Sequence, residues 1–149
     1  MGCVRAVVSS DVIDPAEHFA LVQNEQAGAV ASFLGTIRNH DPEAEGEVTG
    51  IDYSYHPDAE QILAQIVADV LVELDPADQA QVAVTHRVGR LDVGELALVC
   101  VVATPHRAEA FDICRAVVEQ IKVRLPIWKQ QFEADGRQIW SQLGLTEGA

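Results

Sequence analysis

An uncharged apolar run, Leu96 to Thr104 (LALVCVVAT), constrains this chain more than any other segment. It is too short to cross a bilayer. It is also too uniformly apolar to lie half in water, so it reads as a strand, from Glu95 to Thr104, covered on both faces. The chain must therefore supply layers on either side. With 48% hydrophobic residues in 149, it has material for one domain spanning 1–149. Aromatic residues are only 5%, so Val, Ile, Leu and Ala must fill the core.

Local pattern places the other elements. Val4 to Ser9 reads as a short strand. Asp14-Pro15 opens a helix reaching about Asn24, with Asp as N-cap and Pro at the first helical position. Gly28 to Arg38 is predicted as a strand, and Val48 to Tyr55 as another, alternating in the manner of a strand with one buried face. Between them, about residues 39–47, Asp41-Pro42, Gly46 and three glutamates mark an exposed, mobile loop. Pro57-Asp58 opens an amphipathic helix in which Ile62, Ile66, Val70 and Leu74 recur beside Leu63, Val67 and Leu71; Asp75-Pro76 ends it. Gln81 to Val88 is a strand joined to the apolar one through Gly89–Gly94. A third helix runs from about His106 to Arg124 with Phe111, Cys114, Val118, Ile121 and Leu125 as its apolar face, and Pro126 stops it. Ile127 to Phe132 and Gln138 to Trp140 form a terminal hairpin with its turn at Asp135-Gly136. The order is β-α-β-β-α-β-β-α-β-β. Paired strands between helices predict an α+β fold with a mixed or mostly antiparallel sheet.

Charge and cysteine usage exclude several classes. A formal net charge of -13 disfavours nucleic acid and anionic membrane surfaces as partners. No apolar run spans a bilayer, the N-terminus lacks a signal-peptide pattern, and Ala6 breaks a myristoylation pattern at Met1-Gly2-Cys3. Cys3, Cys100 and Cys114 have no paired spacing; Cys100 and Cys114 read as buried free thiols, which suits a reducing, cytoplasmic setting. Five dispersed histidines suggest no metal site, and no cofactor-binding motif is present.

Against this acidic background the cations stand out. Of ten basic residues eight are arginine; the lysines are Lys122 and Lys129, astride Pro126. Lysine can lose its proton where arginine cannot, so it can serve as nucleophile, acid or base. The plainer alternatives are a helix C-terminal cation for Lys122 and a solvated hairpin residue for Lys129. Thr104-Pro105-His106-Arg107 opens the third helix, where free N–H groups and Arg107 could bind an anion, or where His106-Arg107 is an ordinary cap. Arg38-Asn39-His40 ends a strand and either faces a cleft or solvates the strand end. His86 reads as a structural histidine.

Three segments, in order, resemble the molybdopterin synthase large (catalytic) subunit family. They are GAVASFLGTIRNH (Gly28 to His40), THRVGRLDVGE (Thr85 to Glu95) and ATPHRAEAFDICRAVVEQIKVRLPIWKQ (Ala103 to Gln130), which contains Lys122-Val-Arg-Leu-Pro-Ile-Trp-Lys129. The likeness runs from about residue 5 to 140.

The resemblance implies an α/β hammerhead fold with a small additional antiparallel β subdomain. It implies a central dimer, with a small ubiquitin-like sulfur-carrier subunit at each end completing a heterotetramer. The carrier's C-terminal Gly-Gly, as a thiocarboxylate, would donate sulfur to cyclic pyranopterin monophosphate (precursor Z), forming the dithiolene of molybdopterin. By position, Lys122 and Lys129 match the family's active-site lysines, His106 and Arg107 its phosphate-binding pair, and Arg38 a substrate-anchoring arginine. The family often has a basic residue after the terminal Trp; here Ser141 follows Trp140, and Arg137, with Arg124, is the possible additional contact. On this reading Arg38, His106 and Arg107 together hold the phosphate near the dimer interface, and clustered cations lower one lysine's pKa towards neutrality. The competing readings are a non-catalytic module that binds a ubiquitin-like tail or an anionic metabolite, and a phosphoester hydrolase using His106.

Overall fold

The computed structural model describes residues 2–41, 46–134, 136 and 138–142. In chain order the elements are β1 (Gly2–Ser9), α1 (Pro15–Val22), β2 (Ala29–Thr36), β3 (Val48–Tyr55), α2 (Ala59–Leu74), β4 (Gln81–Arg87), β5 (Gly89–Asp92), β6 (Leu96–Thr104), α3 (Arg107–Arg124), β7 (Ile127–Glu133) and β8 (Gln138–Gln142). They form two four-stranded sheets, ordered β1-β4-β6-β2 and β5-β3-β7-β8.

The apolar run becomes β6, buried from Ala97 to Thr104, between β4 and β2 in the first sheet. Alternate side chains go to opposite layers. Cys100 and Val102 join Val82 and Val84 against Leu63, Ile66, Ile113 and Val117 of α2 and α3. Val99, Val101 and Ala103 join Ala83 against Ile13 and Val22, the residues flanking and ending α1. β1 pairs with β4 in parallel; the other pairs are antiparallel, so the sheet is mixed, as predicted.

α1 begins as its sequence dictates: the Asp14 side chain accepts from Ala16 N, and Pro15 opens the first turn. α3 starts after Pro105 and stops at Leu125 before Pro126. Its buried face is Ala110, Ile113, Cys114, Val117, Val118 and Ile121. Phe111, predicted on that face, is 63% exposed. Seven residues before Val118 it lies near the same angle of the helix, at the margin of the face that Ala110 and Ile113 bury.

The second sheet is antiparallel throughout and supplies the small additional subdomain. Its strand β5 lies in the segment Gly89–Gly94, for which the sequence predicts only a connection. Val88 alone separates β4 from β5, and Gly89, at φ 86°, turns the chain out of one sheet and into the other, where Ile51 pairs with Leu91. A register shift between Val48 and Gly50 breaks the predicted alternation of β3 and buries Val48 together with Ile51 and Tyr53.

Of the predicted 39–47 loop, residues 42–45 lie outside the described residues. Its ends are tied: Val48 N donates to Asn39 O at 2.9 Å and Ala134 N to Glu47 O at 2.9 Å. At the terminal turn Gly136 has φ 89°, whereas Asp135 and Arg137 lie outside the described residues. Cys100 and Cys114 are buried free thiols, and Cys3 is an exposed one. Among the described residues no helix is long and apolar enough to cross a membrane.

Two glycines separate close approach to backbone from close approach to a flexible side chain. A Cβ on Gly28 would lie 2.7 Å from the Pro105 carbonyl oxygen; one on Gly50 would lie 2.7 Å from the Arg90 guanidinium. Gly28→Ala is expected to cost about 1–3 kcal/mol in a urea titration, and Gly50→Ala clearly less, because only the Arg90 head can move aside.

Candidate active site

Lys129 is set by its strand. In β7 it lies opposite Tyr53 of β3, so its side chain shares a face with Ile51, Tyr53, Ile127 and Gln131. That face is covered, and the Lys129 side chain is only 18% exposed; Nζ is 3.3 Å from Asp41 Oδ2, whose side chain is 14% exposed. Behind it, the rings of Tyr53 and His86 meet edge to face at 5.1 Å. Burial pushes the Tyr53 phenol up to about 12. Burial also pushes His86 down to about 4, outweighing the hydrogen bond its Nδ1 makes to Arg87 O at 2.7 Å. His86 is thus the neutral structural histidine that its sequence context suggested, and its chemistry is to support the floor beneath Lys129. Next to it, Arg87 pairs with Glu95 at 2.8 Å, fixing the end of β4 to the turn before β6.

Two residues along β7 from Lys129, Gln131 is buried, and its Nε2 has no hydrogen-bond partner among the described residues. An unmade buried hydrogen bond of this kind costs about 1–3 kcal/mol, and a bound molecule or water would satisfy it.

Lys122 occupies the exposed last turn of α3, and Arg38 lies exposed two residues past the end of β2. Both belong to the same end of the fold as Lys129. α3 doubles back along β6, as the contact of Cys114 Sγ with Cys100 O shows. Its C-terminus therefore reaches the start of β6, where Leu96 pairs with Thr36. Asp41, three residues beyond Arg38, touches Lys129 directly.

His106 and Arg107 are elsewhere. His106 is the N-cap of α3 and makes no side-chain cap bond; Arg107 is exposed beside it. Fifteen residues separate Arg107 from Lys122 on one helix, which at a rise of ~1.5 Å per residue is roughly 22 Å. The grouping of Arg38 with His106 and Arg107 therefore does not occur within one chain: they lie at opposite ends of the first sheet.

Ion pairing divides the cations further. Arg5, Arg87, Arg90, Arg124 and Lys129 each meet a carboxylate. Arg124 is held by Asp69 of α2 at 2.9 Å, so it ties two helices together. Among the described residues Arg38, Arg107, Arg115 and Lys122 meet none, although the chain carries 23 acidic residues. Three of these four are site residues nominated by the sequence. Arg115 and Gln131 were not, because an exposed helical Arg and a strand Gln carry no signal of their own. Arg137 falls outside the described residues, and no cluster of three metal-ligating residues occurs among those described.

Fold and site together define an α+β protein of two sheets that brings Arg38, Lys122 and Lys129 to one end of the first sheet. Residues 8–124 match the family described as MoaE protein. The molybdopterin synthase catalytic subunit of Bacillus subtilis (strain 168) is 40% identical over 128 residues, covering 84% of this chain and 78% of that protein. The crystal structure of molybdopterin synthase from Staphylococcus aureus aligns with a TM-score of 0.81 at 27% identity, covering 90% of this chain and 94% of that one. The complex of subunits 1 and 2 of molybdopterin-converting factor from Helicobacter pylori 26695 shares the fold, with a TM-score of 0.70 at 18% identity over 92% of this chain and 90% of that one. The chain belongs to the MoaE family.

The buried His86 sets a pH dependence. In the unfolded chain it takes up a proton near pH 6.5, but in the fold only near 4. Between these values the unfolded chain binds more protons, so stability falls as the pH drops through that window, by up to about 3 kcal/mol. Urea titrations at pH 7 and pH 4.5 are expected to show most of this loss, and His86→Phe to remove it.

Proposed function

We propose that this chain is the catalytic subunit of a molybdopterin synthase. In this reading it transfers sulfur from the C-terminal thiocarboxylate of a small ubiquitin-like carrier to cyclic pyranopterin monophosphate, producing the dithiolene of molybdopterin. The observation that carries this reading is the set of cations that meet no carboxylate among the described residues, in a chain of net charge -13: of the four, Arg38, Arg107 and Lys122 fall at positions the family resemblance nominates, and Arg115 does not. Leaving such charges uncompensated favours binding an anion over stabilising the fold. The family's catalytic-subunit relatives and the two-subunit complex of a protein of the same fold support the same conclusion.

Roles follow from position. Lys122, at the exposed end of α3, lies beside the carrier's thiocarboxylate and positions it or carries protons as sulfur adds to the pterin side chain. Lys129, largely sequestered on the covered face of the second sheet, orients the substrate and stabilises developing negative charge. The orphaned Gln131 donor on the same face is an additional place for a substrate oxygen or nitrogen.

The roughly 22 Å between Arg107 and Lys122 is too far for one pterin monophosphate to bridge. The chain therefore works as a dimer in which His106 and Arg107 of one copy complete the site built on Arg38, Lys122 and Lys129 of the other.

Purified protein mixed with thiocarboxylated carrier and cyclic pyranopterin monophosphate is expected to yield the sulfurated pterin by mass spectrometry, and Lys122→Ala to yield none. No product from wild type with the carrier demonstrably bound would leave a binding module instead. Near-normal turnover by Lys122→Arg would remove the proton-transfer role. The shared site has its own test. Co-expressing a Lys122→Ala chain with a His106→Ala, Arg107→Ala chain makes half the dimers mixed, and each mixed dimer regains one intact site. About a quarter of wild-type activity is expected if the site is shared across a two-fold axis, and none if it is built within one chain.

A further inference from the structure

The ion pair between Lys129 and Asp41 joins residues 88 positions apart in sequence and has no counterpart in the site as the family resemblance describes it. Its side chains are 18% and 14% exposed, and it is the one ion pair among those described in which both partners are so far withdrawn from water. Arg5–Glu17, Arg90–Asp92 and Arg124–Asp69 are open surface pairs by comparison. A surface pair of that kind contributes little to stability. A withdrawn one fixes where a charge sits, because its geometry is not averaged by solvent.

Lysine is a poor positioner by itself: a compact charge on a flexible four-carbon stem with three equivalent donors. Around Lys129 the protein supplies the missing constraint from two sides. Tyr53, backed by His86, lies across the strand beside its stem, Gln131 and Glu133 follow on the same face of β7, and the Asp41 carboxylate meets its Nζ at 3.3 Å. One ammonium proton directed at Asp41 leaves two donors for a ligand. The Gln131 Nε2, which has no hydrogen-bond partner among the described residues, is a second polar donor on the same face of β7.

We propose that Asp41 is a positioning residue: its carboxylate holds the Lys129 ammonium in the orientation from which it contacts substrate. This rests on Lys129 being an active-site lysine. Asp41 touches no reacting atom and acts through Lys129.

The test is steady-state sulfur transfer by the full complex with Asp41→Asn, Asp41→Glu and Lys129→Ala, each checked for wild-type thermal unfolding. Asp41→Asn keeps the side chain's shape and removes its charge. It is expected to lower kcat by roughly tenfold to a hundredfold, as a misplaced catalytic group does, while KM for the pterin stays level or falls because one anion has left the site. Asp41→Glu, which restores the carboxylate, is expected to recover part of kcat. Wild-type kcat in Asp41→Asn, or a rise in KM at unchanged kcat, beside an inactive Lys129→Ala, would overturn the proposal and leave the reading of Lys129 standing. Wild-type turnover by Lys129→Ala would instead overturn both.

Discussion

Everything in this fold is arranged around one strand that cannot be exposed. β6 carries apolar side chains to both faces and is hydrogen-bonded along both edges, to β4 and to β2. Each face therefore needs its own layer: α2 and α3 on one side, α1 on the other. Burying side chains of this size is worth about 1.5–3 kcal/mol each, so no arrangement that leaves either face open competes. The short turn at Pro105 and His106 then forces α3 back along the strand it has just left. The ends of that helix become two separate cationic places, because a helix of 18 residues is a rigid spacer of about 27 Å.

The second sheet does different work. Its inner face is not purely apolar, since Lys129, Gln131 and Glu133 follow one another at every second position of β7. Polar groups are placed in a covered sheet face at a cost, which only partners reduce. The partners here come from far along the chain: Asp41 reaches Lys129 from the loop after β2, and Tyr53 lies opposite it on β3. His86 ends the layer from β4, neutral and packed on Tyr53, so the two sheets meet through an aromatic contact that adds no charge beside the lysine. The His-Arg-Val-Gly segment is thereby explained without giving it a chemical step. His86 supports the floor, Arg87 locks the strand end to Glu95, and Gly89 carries the chain between the sheets.

Net charge and local charge act on different scales. The acidic surface repels polyanions at long range, within the limit set by screening. At the end of α3, Lys129 is matched by Asp41, whereas Arg38 and Lys122 meet no carboxylate among the described residues; most cations elsewhere are neutralised by one.

The sequence by itself determined the elements and their chemistry: the doubly buried β6, the Asp14-Pro15 start of α1, the Pro126 stop of α3, the buried thiols and the cations of the family motifs. These follow from local pattern, where a residue's neighbours along the chain suffice to state its preference. Only the tertiary structure decided that Gly89–Asp92 becomes a strand of the second sheet, that Phe111 stays outside the core, and that Asp41 meets Lys129. It also decided that Arg38 and Lys122 share an end of the fold from which His106 and Arg107 are excluded. Each of these depends on contacts between residues distant in sequence, whose energies appear only once β6 is covered and α3 has been laid across it; no local period encodes them.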